Sequence, residues 1–281
     1  MSSMSLAAGA VCARDALDGA ATAIGAGGSQ SPRLDAELLL CDVLGVRRER
    51  LHTDPGLRVA GAAVREYQSR VRRRSVEREP VAYILGRQAF RRIELAVDAR
   101  ALIPRPESEL LVEAAVELLP HGANVLDVGT GSGAIALALA DERPDLRVTA
   151  SDISADALEL ARENAARLGF VQRVRFHQAD GVLAGGAWDA VVSNPPYIPA
   201  AQLPMLAVSR HEPAVALDGG SDGLAVARRI VEQTRAPLLA LEVGLGQAGQ
   251  VCELMERAGF RAPQTRRDLA GIERVVVGRR G

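Results

Sequence analysis

Lysine is missing from this 281-residue sequence: all 34 basic residues are arginine. The bias reads as GC-rich coding, and it removes any lysine Schiff base or lysine general base from consideration. Cysteine is scarce too. Cys12, Cys41 and Cys252 are odd in number, far apart and form no CxxC pair, which excludes a disulfide framework or a cysteine zinc site and fits a reducing compartment. The four histidines, His52, His121, His177 and His211, are scattered, so no metal centre is expected. No run reaches the length of a membrane span, and the mildly apolar Ser5 to Ala13 has no basic segment before it. A soluble, untargeted, cytoplasmic protein is the expectation. A net charge of −1 argues against wholesale binding to nucleic acid or membrane.

What is present is enough apolar residue, 48% of the chain, for one full core and a smaller accessory domain. In the first eighty residues, Ser31 and Pro32 read as the N-cap and first position of a helix ending near Gly45, with Leu34, Leu38, Leu39 and Val43 at helical spacing. Val11 to Ala23 and Ala60 to Val76 also read as helices, so residues 1–80 form a small helical bundle. Its last part carries Arg70, Arg72, Arg73, Arg74 and Arg78, ordinarily a solvated face, with partner binding the sharper alternative. Phe90 to Ile103 turns strand-like, with alternation around Val97-Asp98-Ala99, and residues 81–104 are assigned to a β-hairpin linker.

From residue 105 to 281 the texture is α/β. Short β-rich runs at Asn124–Val128, Arg147–Ser151, Val174–His177, Ala190–Ser193 and Leu238–Val243 alternate with helical stretches such as Ala134–Ala140 and Ala155–Leu168, which predicts a parallel sheet. Two late runs, Pro263–Arg267 and Glu273–Gly278, complete it as a hairpin.

Two loops carry the chemistry. In the first, Asp127-Val128-Gly129-Thr130-Gly131-Ser132-Gly133 takes a buried strand into a glycine turn and then a helix, letting a ligand approach the backbone closely. With Ala134 it also satisfies G-x-G-x-x-A, so the glycines alone do not separate a nicotinamide cofactor from adenosylmethionine. Asp152, at the end of the next strand, is placed to accept ribose hydroxyls. Asp180, after the third strand, is either an acceptor for an adenine amino group or simply solvated. Asp127 either faces a ligand ammonium or braces the loop.

The second loop is Asn194-Pro195-Pro196-Tyr197, at the carboxyl end of the fourth strand, where open α/β sheets bind ligands. Asn194 offers a side-chain carbonyl and Pro195 a backbone carbonyl, while neither proline has an N–H. This stiff acceptor platform suits a planar NH₂ group, which donates one hydrogen to each carbonyl while Tyr197 stacks on the flat group. An amide nitrogen is a poor nucleophile, so holding it about 3–3.5 Å from a methyl donor supplies much of the catalysis, and the two carbonyls ease positive charge growing on it. The platform itself does not distinguish an amide from the exocyclic amine of adenine.

These loops, with Pro80-Val81-Ala82-Tyr83-Ile84-Leu85-Gly86 and Ile103-Pro104-Arg105-Pro106-Glu107-Ser108-Glu109 upstream, resemble the release factor glutamine methyltransferases, the PrmC/HemK family. His211-Glu212-Pro213, Ala216 to Leu224, Leu241-Glu242-Val243 before Gln247, and Asp268-Leu269-Ala270-Gly271 before Arg274 extend the resemblance to the C-terminus. It implies a class I methyltransferase, Rossmann-like sheet with a small N-terminal helical domain, and methylation of the glutamine N5 in the Gly-Gly-Gln motif of bacterial peptide chain release factors, using S-adenosyl-L-methionine. It assigns Gly129, Thr130, Gly131, Ser132, Gly133, Asp152 and Asp180 to the cofactor, Pro195, Pro196 and Tyr197 to the glutamine, and Asn194 to both. Catalysis falls to Asn194, Pro195 and Tyr197, and the N-terminal domain is given the protein substrate. The chain departs from the family at Arg91-Arg92, where a glycine is usual; at Gly181, where some members carry an aromatic; at Thr234 to Pro237, which replaces a Leu-x-x-Gly-Gly turn; and at Ser108, usually threonine. The alternatives are methylation of a ribosomal-protein glutamine and adenine-N6 methylation of nucleic acid; the near-neutral charge and lack of a basic domain count against the second.

Overall fold

The computed structural model describes residues 10–280. The chain divides into two compact units, residues 1–86 and 87–281.

The first unit is helical. β1 (Ala10–Cys12) leads into α1 (Ala13–Ala26), α2 (Pro32–Leu44), α3 (Arg48–Thr53), β2 (Arg58–Ala60), α4 (Ala62–Ser75) and α5 (Val81–Leu85). Leu17, Ile24, Leu39 and Leu40 fill its core, and the buried Tyr67 donates its hydroxyl proton to the carbonyl of Ala36 at 3.1 Å. The helix expected from Val11 starts two residues later, because Ala10 to Cys12 pair antiparallel with Arg58 to Ala60 and the Cys12 sulfur caps α1 by accepting from the amide of Asp15. Ser31 stands at the N-cap of α2 without capping it. Its hydroxyl is drawn to the carboxylate of Asp35, which Arg74 also engages at 2.7 Å. The arginine run of α4 is largely neutralised within this unit: Arg70 pairs with Asp42 and Glu66, Arg73 binds Glu79 through two hydrogen bonds of 2.6 Å, and Arg74 holds Asp35.

The second unit opens with a hairpin, β3 (Arg87–Phe90) and β4 (Ile93–Ala96). The strand pattern expected over Phe90 to Ile103 is therefore displaced. Val97, Ala101 and Ile103 are buried from an irregular loop, in which Asp98 accepts from the backbone of Arg100; alternation of burial without a partner strand makes no sheet. Arg91 turns the hairpin at φ 52°, a conformation that usually calls for glycine. Its guanidinium grips Glu142 through two bonds of 2.7 Å, and its amide donates to Glu109.

Then follow α6 (Glu109–Leu118), β5 (Asn124–Val128), α7 (Ala134–Glu142), β6 (Arg147–Asp152), α8 (Ala155–Leu168), β7 (Val174–Gln178), β8 (Ala190–Ser193), α9 (Ala225–Gln233), β9 (Leu238–Glu242), α10 (Ala248–Arg257), β10 (Arg261–Arg267) and β11 (Glu273–Arg279). The seven-stranded sheet has the order β10-β11-β9-β8-β5-β6-β7, with β5 to β9 parallel and the final hairpin antiparallel at one edge. Strands β5, β8 and β9 are buried on both faces, which is why apolar residues stand at consecutive positions in each, Val125-Leu126, Ala190 to Val192 and Leu238 to Leu241. Strand order reverses at β5: the chain moves outward to β6 and β7, then returns to lay β8 on its other side. Ligands of doubly wound sheets bind at such a switch, beyond the carboxyl ends of the strands.

Candidate active site

The turn after β5 is built by three glycines with positive φ, Gly129, Gly131 and Gly133. Gly129 (φ +72°) has open space where a Cβ would stand, whereas a Cβ on Gly133 (φ +88°) would sit 2.9 Å from Leu137 Cδ1. Gly129 and Gly131 line the cavity at the switch point and Gly133 packs behind it. The amides of Gly129 and Thr130 both donate to the carbonyl of Ser151, seating the turn on β6. Asp127 is fully buried. Its Oδ2 accepts from Thr130 Oγ1 at 2.6 Å and from the amide of Ala136 at 3.2 Å, so it braces turn and helix, while its Oδ1 has no partner. Burial pushes its carboxyl up to about 7, against the pull of those two donors.

A cavity of about 300 Å³ opens beside this turn, lined by Gly129, Gly131, Asp152, Asp180, Asn194 and Pro196 among others. Asp152 accepts from the amides of Gly131 and Ser154, both at 2.9 Å. Each of its oxygens keeps capacity for a further hydroxyl. Burial raises its pKa, opposed by those amides. Asp180 reaches the same cavity but is paired with Arg229 at 2.5 Å. Ile153, Val215 and Val226 supply aliphatic wall, and Gly181 adds no side chain. The mixture of carboxylates, open glycine backbone and aliphatic wall fits a cationic nucleoside such as adenosylmethionine. Gly129 is the sharpest sign, since any side chain there would enter the space a ligand needs.

A second cavity, of about 180 Å³, is lined by Arg105, Asn194, Pro195, Tyr197, Ile198 and Leu217, and a crevice of about 50 Å³ lies between the glycine turn and Ser108. Asn194 and Leu102 line all three spaces. Asn194 Nδ2 donates to Ser108 Oγ at 3.1 Å. The loop is held from outside. Gln247 Nε2 donates to the carbonyl of Tyr197 at 3.0 Å while its Oε1 accepts from the amide of Gly244, and the amides of Ile198 and Ala200 donate to Leu217 and Gly220. Gly223 must be glycine here, because a Cβ would fall 2.5 Å from the carbonyl of Tyr197. The Tyr197 hydroxyl is pushed up first by burial and then by the charge of Glu242.

Thus the turn, Asp152, Asp180 and Asn194 to Tyr197 converge on neighbouring spaces that share Leu102 and Asn194, while Thr130 and Ser132 touch only the crevice and Gly133 lines none of the three. Sequence reasoning gave no role to four residues that frame the site. Glu242 ends β9 and is 2% exposed; a glutamate between the apolar run Leu238-Leu239-Ala240-Leu241 and Val243 was the available signal. Glu212 has a fully buried side chain that bonds the amide of Ile103 and, at 2.5 Å, Arg105. Ser108 and Asn164 are the other two, the latter flagged only as an asparagine inside a helix.

Among known proteins, residues 106–239 match the Methyltransferase small domain model, and residues 15–86 match the PrmC N-terminal domain model. A release factor glutamine methyltransferase of Coxiella burnetii is 40% identical over 262 residues, spanning 90% of this chain and 94% of its own. One from Moorella thermoacetica is 41% identical over 275 residues, spanning 94% and 97%. Among solved structures, a chain of the E. cuniculi Mtq2–Trm112 complex, responsible for methylation of the eRF1 translation termination factor, has a TM-score of 0.50 at 23% identity and covers 65% of this chain and 99% of that one. The hMettl16 catalytic domain has a TM-score of 0.57 at 14% identity over 66% of this chain and 74% of that one. Those two likenesses speak for the class I, Rossmann-like methyltransferase fold. The near-full-length relatives decide the family: this chain belongs to the release factor glutamine methyltransferases.

Proposed function

We propose that this enzyme methylates the side-chain amide nitrogen of the glutamine in the Gly-Gly-Gln motif of peptide chain release factors, with S-adenosyl-L-methionine as donor. Beside the family, the observation that carries this is Asn194, which borders both the larger cavity and the smaller one. Bound beside Gly129 and Asp152, S-adenosyl-L-methionine would supply an electrophilic sulfonium methyl to the amide nitrogen, the C–S electron pair going to the thioether and one amide proton to solvent.

The residues of the chain hold and orient. Gly129 and Gly131 give close backbone approach, Asp152 accepts from the ribose, and the aliphatic wall takes the base. Asp180 reaches adenine only in exchange with Arg229. Thr130, Ser132 and Gly133 support the turn. Asn194 presents its carbonyl to the substrate NH₂ because its own nitrogen is committed to Ser108. Pro195 adds a second carbonyl, and Pro196 and Tyr197 form the flat wall against the amide. Lining of the smaller cavity by Tyr197 and Arg105 gives a planar amide a snug seat with a cation at its rim.

The helical residues 10–86 are assigned to holding the release factor. The cytoplasm, where translation ends, is the assigned compartment; among the described residues no helix is long and apolar enough to cross a membrane and all three cysteines are free. Labelled adenosylmethionine is expected to mark a release factor at the Gly-Gly-Gln glutamine. Equal labelling after Gln→Ala in that motif rejects the assignment. Asn194→Ala should still bind the cofactor but turn over at least about 100-fold more slowly.

A further inference from the structure

Glu242 is a buried acid that methyl transfer leaves without a task. Parallel pairing of Ser193 with Leu241 brings Asn194 and Glu242 side by side, one step beyond the last paired residues of β8 and β9. Ser108, 4% exposed, accepts from Asn194 Nδ2 at 3.1 Å. Its one hydroxyl proton is then left for another acceptor; burial raises the pKa of Glu242, and Ser108 and Asn194 are among the groups that pull it back down. Glu242 Oε2 is buried without a partner, so this carboxylate has acceptor capacity to spare in a place where water does not satisfy it.

An asparagine amide is nearly symmetric in shape, and a site that needs its carbonyl outward must make the flipped state costly. We propose that Glu242 is a positioning residue which, directly and through Ser108, fixes the Asn194 amide with nitrogen inward and carbonyl toward the substrate. An ionised carboxylate only accepts, so it favours two donors facing it: the amide nitrogen and the serine hydroxyl. With the amide flipped, Asn194 Oδ1 would face Glu242 and the NH₂ would confront the substrate's own NH₂. A glutamine at 242 lacks this polarity, because its NH₂ tolerates the flipped state. The inference rests on the substrate platform proposed above, yet its test separates from it.

The chain contains three asparagines, Asn124, Asn164 and Asn194, so asparagine-selective ¹⁵N labelling of the full-length enzyme gives three side-chain NH₂ pairs. At about pH 8, above the value to which burial pushes Glu242, the Asn194 pair should exchange slowly with solvent and speed at least about tenfold in Glu242→Gln and in Ser108→Ala. In the same variants kcat on a release factor should fall about tenfold or more, while the Kd for adenosylmethionine stays within about twofold. Ser108→Thr, which keeps the hydroxyl, should retain both kcat and slow exchange. Wild-type kcat with unchanged Asn194 exchange in Glu242→Gln overturns the proposal, as does a kcat loss matched by equal loss of cofactor affinity. If Glu242→Gln does not fold, Ser108→Ala against Ser108→Thr decides the same point. A wild-type enzyme that fails to label release factors would sink the substrate reading alone, since amide exchange reports the inward nitrogen without substrate.

Discussion

Replacing Asn164 with alanine tests how the glycine turn is held in place. Asn164 is wholly buried in α8, its Oδ1 accepts from the amide of Ala96 at 2.7 Å, and its Nδ2 donates to the carbonyls of Ala96 at 3.0 Å and Ser132 at 2.9 Å. One side chain thereby ties the β4 hairpin strand and the glycine turn to the same helix. Alanine removes the partner of one N–H and two carbonyls, the Ser132 carbonyl in fully buried and the Ala96 groups in part-buried surroundings. At about 1 kcal/mol for each lost bond the unfolding free energy should drop by about 3 kcal/mol, and the melting temperature by roughly 6–12 °C for a domain of this size. Asn164→Asp should be at least as damaging, because a carboxylate facing two carbonyls has nothing to donate. Thermal and urea unfolding of the cofactor-free enzyme measure the loss, and titration with adenosylmethionine should show weakened binding, since Ser132 lies in the turn. A loss under about 1 kcal/mol for Asn164→Ala, or an Asp variant more stable than the Ala variant, would refute the reasoning.

Asp127 should make the cofactor-free enzyme less stable as pH rises. Its folded pKa, about 7, lies above its ordinary 3.8, so its contribution is complete below about 3.8 and gone once pH passes 7. Urea unfolding across that window should lose on the order of 4 kcal/mol from this group, with Glu242 adding to the same slope; Asp127→Asn should flatten it, and an unchanged slope counts against burial as the cause. Gly129→Ala and Gly133→Ala should fail differently. The first carries backbone strain of about 1–2 kcal/mol and places a methyl in open cavity space, so calorimetric titration should show adenosylmethionine binding falling more than stability does. The second adds a clash with Leu137 at 2.9 Å and should lose roughly 2–4 kcal/mol in unfolding experiments. Equal stability losses would contradict the contrast.

Local signals carried the elements that are local in origin. Asn124–Val128 and Ala190–Ser193 were legible as strands because both faces are covered, which sets apolar residues at consecutive positions, and Ala155–Leu168 because its buried stripe recurs at helical spacing. Where another segment supplies the deciding partner, the sequence is silent. Ser31 carries the chemistry of a cap, yet Asp35 takes its hydroxyl after Arg74, 39 positions along, has fixed that carboxylate. Arg91 breaks the glycine rule of a tight turn because Glu142, 51 positions away, holds its guanidinium.

The site divides along the same line. Glycines and prolines act through their own backbones, and so the turn at Gly129 and the platform at Pro195 can be read residue by residue. The orientation of Asn194 cannot, because it depends on a serine 86 positions upstream and a glutamate on the neighbouring strand. An acceptor platform requires its donors to be spent elsewhere. Prolines achieve this by lacking an N–H, but an asparagine keeps two, and those two must be absorbed on the buried side by groups that only the fold assembles. On the proposed reading, specificity for an NH₂ substrate would reside as much in Ser108 and Glu242 as in the tetrapeptide itself.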